Sequence, residues 1–324
     1  MKYLKLISIL FISSIVFPAF AQQSSKKSSE GQQRVIKIKP VKPDTTDPNK
    51  RALNSYSKEK MFNGQKPSNT MSPIEVKAAN FMVEGSKKGK NGDYEGAVVD
   101  FTKSLDLSQK PDTYIKRGYA YQMLGNYEFA IQDETEAIKL FSAAIQAYFV
   151  RGVCRFETND YQGAKEDLDV FLEKERRNPI AFNYMAALLF MNKDFKGALE
   201  NYDEVVRLNP NYPDIYTNRG MMRHYVQDYQ GAILDYDEAL KQNPDNASAY
   251  NNRAAAKIML KDFQSALSDL NKAISLNSKY ADAYDNRGRV KHALGDLNGA
   301  CEDWQVAVTY GLDASKELII KYCK

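Results

Sequence analysis

From about residue 78 onward the apolar positions recur with a helical spacing, and that spacing is itself repeated. Gly92-Asp93-Tyr94-Glu95-Gly96-Ala97 returns as Gly125-Asn126-Tyr127-Glu128-Phe129-Ala130 and then as Asn159-Asp160-Tyr161-Gln162-Gly163-Ala164. Four more copies end at Ala198, Ala232, Ala266 and Ala300, so the closing alanines are 33 residues apart once and 34 apart thereafter. Each unit predicts two helices: helix A before this signature and helix B from it onward. Helix A is expected to open after a proline or a polar cap, as at Pro111, Pro179 and Pro213.

The eighth position of helix A is always small: Gly85, Gly118, Gly152, Ala186, Gly220, Ala254 and Gly288. Glycine inside a helix costs about 1 kcal/mol relative to alanine, so its recurrence implies close approach of a second helix. Helix B supplies a large residue four places after its alanine: Phe101, Leu168, Tyr202, Tyr236, Leu270 and Trp304, with Glu134 as the exception. Small against large predicts interlocked helices. Arg117, Arg151, Arg219, Arg253 and Arg287 share one position, and Asp133, Asp167, Asp235, Asp269 and Asp303 each follow sixteen residues later. The fourth unit carries Met185 and Asn201 instead, having lost both partners together. The joint loss predicts an Arg–Asp pair joining helix A to helix B. An arginine row gripping an acidic ligand is the weaker alternative, because the paired acids would neutralise it. Glu84 and Asp100 make the first unit depart from the pattern.

A 34-residue period carrying this signature resembles the tetratricopeptide family over residues 78 to 314. The resemblance implies an all-α, right-handed superhelical solenoid of seven helix pairs, with units starting near 78, 111, 145, 179, 213, 247 and 281. Residues 315–324 are expected to form a capping helix, which repeat arrays need over their last apolar face. The family implies a non-enzymatic scaffold that binds a protein or peptide in a groove lined by helix A. Helix A positions exposed in the family hold Ile115, Tyr119, Phe149, Val150, Val153, Phe156, Tyr184, Phe190, Met191, Met221, Tyr225, Ile258 and Met259 in this chain. These side chains either form an apolar binding track or fold into seams between units, and both readings stay open. Asn218, Asn252 and Asn286 share the sixth position, with Asn183 and Asn251 at the fifth. A ladder of amides can hold an extended backbone, as in the repeats of the O-linked N-acetylglucosamine transferase. The alternative is a solvated polar face. The basic and asparagine clamp of chaperone-tail adaptors is missing, because the matching positions hold Phe149, Val153, Asn183 and Ala187. Candidate peptide-binding residues are therefore Tyr119, Phe149, Tyr184, Asn218, Tyr225, Asn252 and Asn286.

Composition is that of an ordinary soluble chain, 43% hydrophobic and 27% charged. The start of the chain adds a destination. Lys2 and Lys5 precede an apolar run from Leu6 to Phe17, and Ala19-Phe20-Ala21 fits a cleavage site, so residues 1–21 read as a secretory signal peptide. The apolar run is shorter than the ~20 residues of a membrane span, which leaves an exported, periplasmic or secreted protein. Residues 22–73 hold eleven Lys and Arg against four Asp and Glu, a net of +7. With the two leader lysines, that leaves −5 on the rest of a chain whose total is +4. Rich in Ser, Gln, Lys and Pro, this stretch reads as a disordered basic linker, either a tether or a weak contact for acidic envelope polymers. Export argues against a nucleic-acid partner. The alternative to groove binding is a structural subunit of an envelope assembly that uses convex or edge surfaces.

Cys154, Cys301 and Cys323 leave at least one thiol unpaired. Cys323 ends the expected cap and Cys301 lies in the helix beneath it, so either a Cys301–Cys323 disulfide or two free thiols follows. Cys154 reads as core packing. His224 and His292 stand two units apart, too far to share a metal. With no phosphate loop, nucleophile elbow or metal cluster, neither a catalytic residue nor a cofactor is assigned.

Overall fold

A computed structural model describes residues 61–62, 71–212 and 214–323. Among the described residues there are fifteen helices and no strand. They are α1 (Pro73–Asn91), α2 (Tyr94–Leu107), α3 (Pro111–Met123), α4 (Tyr127–Leu140), α5 (Ile145–Glu157), α6 (Tyr161–Lys174), α7 (Pro179–Met191) and α8 (Phe195–Leu208). These are followed by α9 (Ile215–Tyr225), α10 (Tyr229–Gln242), α11 (Ala247–Met259), α12 (Phe263–Leu276), α13 (Ala281–Ala293), α14 (Leu297–Thr309) and α15 (Ser315–Tyr322). Odd numbers up to α13 are A helices and even numbers are B helices. The expected signal peptide, most of the basic lead-in, and Pro213 lie outside the described residues.

The signature forms the turn between the two helices of a pair. Its first residue takes a positive φ, 87° at Gly92, 69° at Asn159 and 66° at Gln227, which reverses the chain after helix A. The aspartate that follows caps helix B. Asp93 accepts from the Gly96 amide at 2.8 Å, and Asp160, Asp228 and Asp296 do the same in their own turns. The fifth signature residue is usually glycine because the capping carboxylate folds over it.

Pro111 and Pro179 open their helices as expected. Two starts differ. α9 begins at Ile215, behind Asp214 at φ 56°. α1 begins at Pro73, five residues ahead of the expected 78, because Ser72 and Glu75 form a capping box.

The small eighth position meets the large helix B residue as expected. A Cβ on Gly85 would stand 2.8 Å from the Phe101 ring, one on Gly220 2.9 Å from Tyr236, and one on Gly288 2.6 Å from Trp304. Phe101, Leu168, Tyr236, Leu270 and Trp304 are buried in consequence.

Two compact units result. One holds the described residues up to 192 together with 200–212, and its core runs through Phe101, Tyr119, Phe149, Val153, Cys154, Leu168, Phe171 and Leu188. The other holds 214–323 together with 193–199, and packs Ala254, Ala266, Leu270, Ala283 and Val290. In each unit successive odd helices touch along one face, α1 with α3 and α3 with α5 in the first, α9 with α11 and α11 with α13 in the second.

The five Arg–Asp pairs form as two-pronged bridges from helix A to helix B. Arg253 Nε and Nη2 donate to Asp269 at 2.9 and 2.6 Å, and Arg117, Arg151, Arg219 and Arg287 repeat the geometry. Each guanidinium also lies near a tyrosine three residues earlier, Tyr114, Tyr148, Tyr216, Tyr250 or Tyr284, at 5.2–5.7 Å. Nη1 of Arg117, Arg151, Arg253 and Arg287 donates to Thr102, Thr135, Asp237 and Asn271, respectively, on the preceding even helix. In the first pair, where Glu84 stands at the arginine position, a lysine four residues later takes over: Asp100 is held by Lys88 of α1 at 2.6 Å and by Lys103 of its own helix at 3.4 Å. Each of the three nitrogens of these four guanidiniums thus makes a hydrogen bond within the fold, and the paired aspartates answer the charge that an arginine row would need to grip an acidic ligand.

The C-terminal cap is α15, which packs on α14. Tyr322 covers His292 and Trp304 with ring centroids at 4.4 and 5.9 Å. Ser315 Oγ donates to Asp285 Oδ1 at 2.6 Å, and Cys301 and Cys323 are joined in a disulfide with Cα atoms 5.7 Å apart. Cys154 is a free, buried thiol.

Candidate peptide-binding surface

The candidate residues all fall on odd helices, and the structure treats the aromatic and the amide ones differently. Of the apolar set, Tyr119, Phe149, Val150, Val153, Phe156, Tyr184 and Phe190 are buried. Ile115, Met191, Met221, Tyr225, Ile258 and Met259 keep partial exposure. The partners explain the burial. Phe149 packs on Phe171 at 4.9 Å, Tyr184 meets Phe156 edge-on at 5.3 Å, and Tyr225 stacks on Phe195 at 4.5 Å. Of the two readings left open by the sequence, seam packing describes the large aromatics: they are wide enough to reach the next helix, and their apolar area favours doing so. Burial also raises the Tyr184 hydroxyl well above its ordinary pKa, so it stays neutral.

The amides sit on the same face of the second unit. Asn286 Nδ2 on α13 donates to Asn251 Oδ1 on α11 at 3.0 Å, and Asn251 Nδ2 reaches Asn252 Oδ1 at 3.4 Å. This link joins consecutive odd helices. Asn252 is half-buried and its Nδ2 has no partner within the described residues, and the Asn218 side chain likewise makes no hydrogen bond. Asn218 and Asn286 are themselves buried. In the first unit Asn183 is 1% exposed, and neither atom of its amide is hydrogen-bonded.

A contact that sequence reasoning missed lies at the start of the first unit. Residues 22–73 were expected to be unstructured throughout, yet Met61 and Phe62 are buried. The Phe62 ring stacks on Phe101 at 6.1 Å and meets Tyr119 edge-on at 5.5 Å. An aromatic residue amid a polar stretch buries itself wherever a hollow is offered. Gly89 was the available signal, the one glycine among the residues at its place in helix A.

No group of three or more His, Cys, Asp or Glu that could hold a metal is found among the described residues, and no helix there is long and apolar enough to cross a membrane.

Comparison with known proteins agrees with this architecture. The family described as "TPR repeat" matches residues 188–225 and 222–261, and the "Tetratricopeptide repeat" family matches 247–280. A curated relative, Protein SGT1 homolog of Bos taurus, is 32% identical over 89 residues, 26% of this chain and 25% of its own length. DnaJ homolog subfamily C member 7 of Homo sapiens is 30% identical over 29% of this chain and 20% of its own. The chain thus spans about a quarter or less of the length of these two relatives. Among solved structures, the C-terminal part of a TPR repeat-containing protein from Cytophaga hutchinsonii superposes with a TM-score of 0.56 at 18% identity, covering 74% of this chain and 98% of that one. YrrB, a TPR protein with an unusual peptide-binding site, superposes with a TM-score of 0.54 at 23% identity, covering 56% and 95%. The counted repeat, the interlocked helix pairs and these likenesses give the described chain a tetratricopeptide-repeat fold, with residues 188–280 matched by tetratricopeptide-repeat families, and proteins built of such repeats generally mediate protein–protein interaction.

Proposed function

We propose that this chain is a non-enzymatic scaffold, working outside the cytoplasm, that holds an extended segment of another protein against its odd helices. The observation that carries the reading is the amide set of the second unit. Asn251 and Asn286 tie α11 to α13, while Asn252 Nδ2 and the Asn218 amide keep hydrogen-bonding capacity that no described residue uses. An amide that donates and accepts matches one peptide unit of an extended chain and reads no sequence. The peptide-binding site named for YrrB offers a precedent within the fold. The Cys301–Cys323 disulfide supports an oxidising compartment and, with the leader-like first 21 residues, export.

A second reading, assembly through the even helices, draws on Val99, Phe129 and Leu234, which stand 52%, 55% and 66% exposed there. A photo-crosslinking residue placed at Asn252 or at Leu234 in the native host separates the two. Groove binding predicts a discrete crosslinked partner from position 252 that is lost in Asn218→Ala and unaffected at position 234. Crosslinks from 234 alone would transfer the function to the even-helix surface.

A further inference from the structure

One unit differs from the others where the difference leaves a hole. Four residues beyond the small eighth position, α3 carries Gln122, α5 Phe156, α7 Phe190, α9 His224, α11 Ile258 and α13 His292, whereas α1 carries Gly89. Phe156, Phe190 and His224 are buried there: Phe156 meets Tyr161, the first residue of its helix B, at 5.5 Å, and His224 meets Tyr229 in the same way at 5.1 Å. Above Gly89 the corresponding space has walls, Tyr94, Phe101 and Tyr119, but no side chain of its own. Phe62, which belongs to no repeat, fills it. Its ring lies 6.5 Å from Tyr94, and a Cβ on Gly89 would stand 2.5 Å from Phe62 Cζ. Phe62 is 0% exposed. It reproduces from outside the contact that Phe156 makes from within.

We infer that the hollow over Gly89 is an anchor site for an aromatic residue of a partner's extended segment, and that Met61-Phe62 is a tethered occupant which such a segment displaces. A socket lined by three aromatic rings selects another aromatic by shape and by edge-to-face contact. One ring and one thioether are a small anchor for a partner's segment to displace. The tether raises the local concentration of Phe62 to the order of millimolar, so a partner competes only by offering the same aromatic together with further contacts. The inference rests on the reading of the odd-helix face as a peptide surface and names what one part of it takes.

The probe is a peptide of residues 57–66, titrated by calorimetry into the full chain. Phe62→Ala vacates the site and should bind the peptide at least about ten-fold more tightly than the unaltered chain. Phe62→Ala/Gly89→Leu, whose new side chain fills the hollow, should not bind it. Equal affinity for the unaltered chain and Phe62→Ala, or retained binding by the double variant, overturns the inference. Should Phe62→Ala fail to fold by circular dichroism, 4-fluorophenylalanine at position 62 of the otherwise unaltered chain reports instead. Its fluorine signal must move to the solvent-exposed position as peptide is added, and a signal unmoved at saturation means a permanent cap. A dimer of the unaltered chain that Phe62→Ala abolishes would assign the site to exchange between copies and sink the partner reading. Gly89 and Asn252 belong to different units, so failure here with position-252 crosslinks intact leaves the general function standing.

Discussion

Glu134 is the residue at which this fold departs furthest from its own rule. Every other pair places a large ring or aliphatic group against the small eighth position, and here a carboxyl lies against Gly118, 0% exposed with both oxygens unpartnered. Burial first, then the charge of Asp133, hold its pKa well above the ordinary 4.5. The folded chain therefore prefers the neutral acid. A raised folded-state pKa contributes stability that is complete below about 4.5 and is lost as pH climbs from there through the folded value. Glu134→Leu, which copies Leu168 against Gly152, should stabilise the chain at pH 8 by about 1–3 kcal/mol. At pH 4 it should be nearly neutral in effect. Urea denaturation at the two pH values checks this, and equal gains at both would mean that the carboxyl is paired or solvated.

Arg253 shows the complementary case, a partly buried charge answered by Asp269 and Asp237. Arg253→Met leaves Asp269, 5% exposed, with Lys257 as its remaining partner and should cost about 2–4 kcal/mol. Adding Asp269→Asn recreates the Met185 and Asn201 combination of the fourth unit and should recover at least half of the loss. A double-mutant cycle measures the coupling, and additive costs would show that the two side chains act independently.

At the scale of elements, the helix pair is specified locally and the end of the array is not. A left-handed residue sets each turn and an aspartate caps helix B in six of the seven, Asn126 making no such bond, so the period of 34 translates directly into helix boundaries. The starts that moved are those where the signal was a single residue: Ser72 with Glu75 drew α1 back to 73, and Asp214 pushed α9 to 215. The cap depends on long-range ties instead. α15 has eight residues, too short to persist alone, and the Cys301–Cys323 bond, closing a separation of 22 residues, contributes about 3 kcal/mol to keeping it down. Trp304 lies beneath it at 1% exposure and is the only tryptophan, so it reports on the cap. Cys323→Ser should red-shift the fluorescence of Trp304 with little loss of total helicity, and an unshifted spectrum would show that Tyr322 and Ser315 hold the cap unaided.

At the scale of the whole molecule, what could be read in advance was whatever repeats. The 34-residue period, the small-against-large interlock and the co-lost Met185 and Asn201 are internal comparisons, seven trials of one solution written along one chain. They establish helix pairs and Arg–Asp bridges because each unit needs the same packing, and a residue kept through translation along the array is kept by that packing. Tyrosines three places before the arginines were legible in the same way, although their part as guanidinium neighbours needed coordinates. The surface was a different matter. Whether Tyr119, Phe149 and Tyr184 face a ligand or a neighbouring helix depends on how closely consecutive odd helices approach, and that distance is set by the sum of many side-chain volumes, not by any spacing along the chain. Phe62 makes the point at its sharpest: composition marks its surroundings as polar lead-in, and only a hollow assembled from Tyr94, Phe101 and Tyr119 around Gly89 gives it somewhere to go. Local order follows from residues that know their neighbours in sequence. Packing of the odd-helix face follows from residues that meet only after the chain has folded.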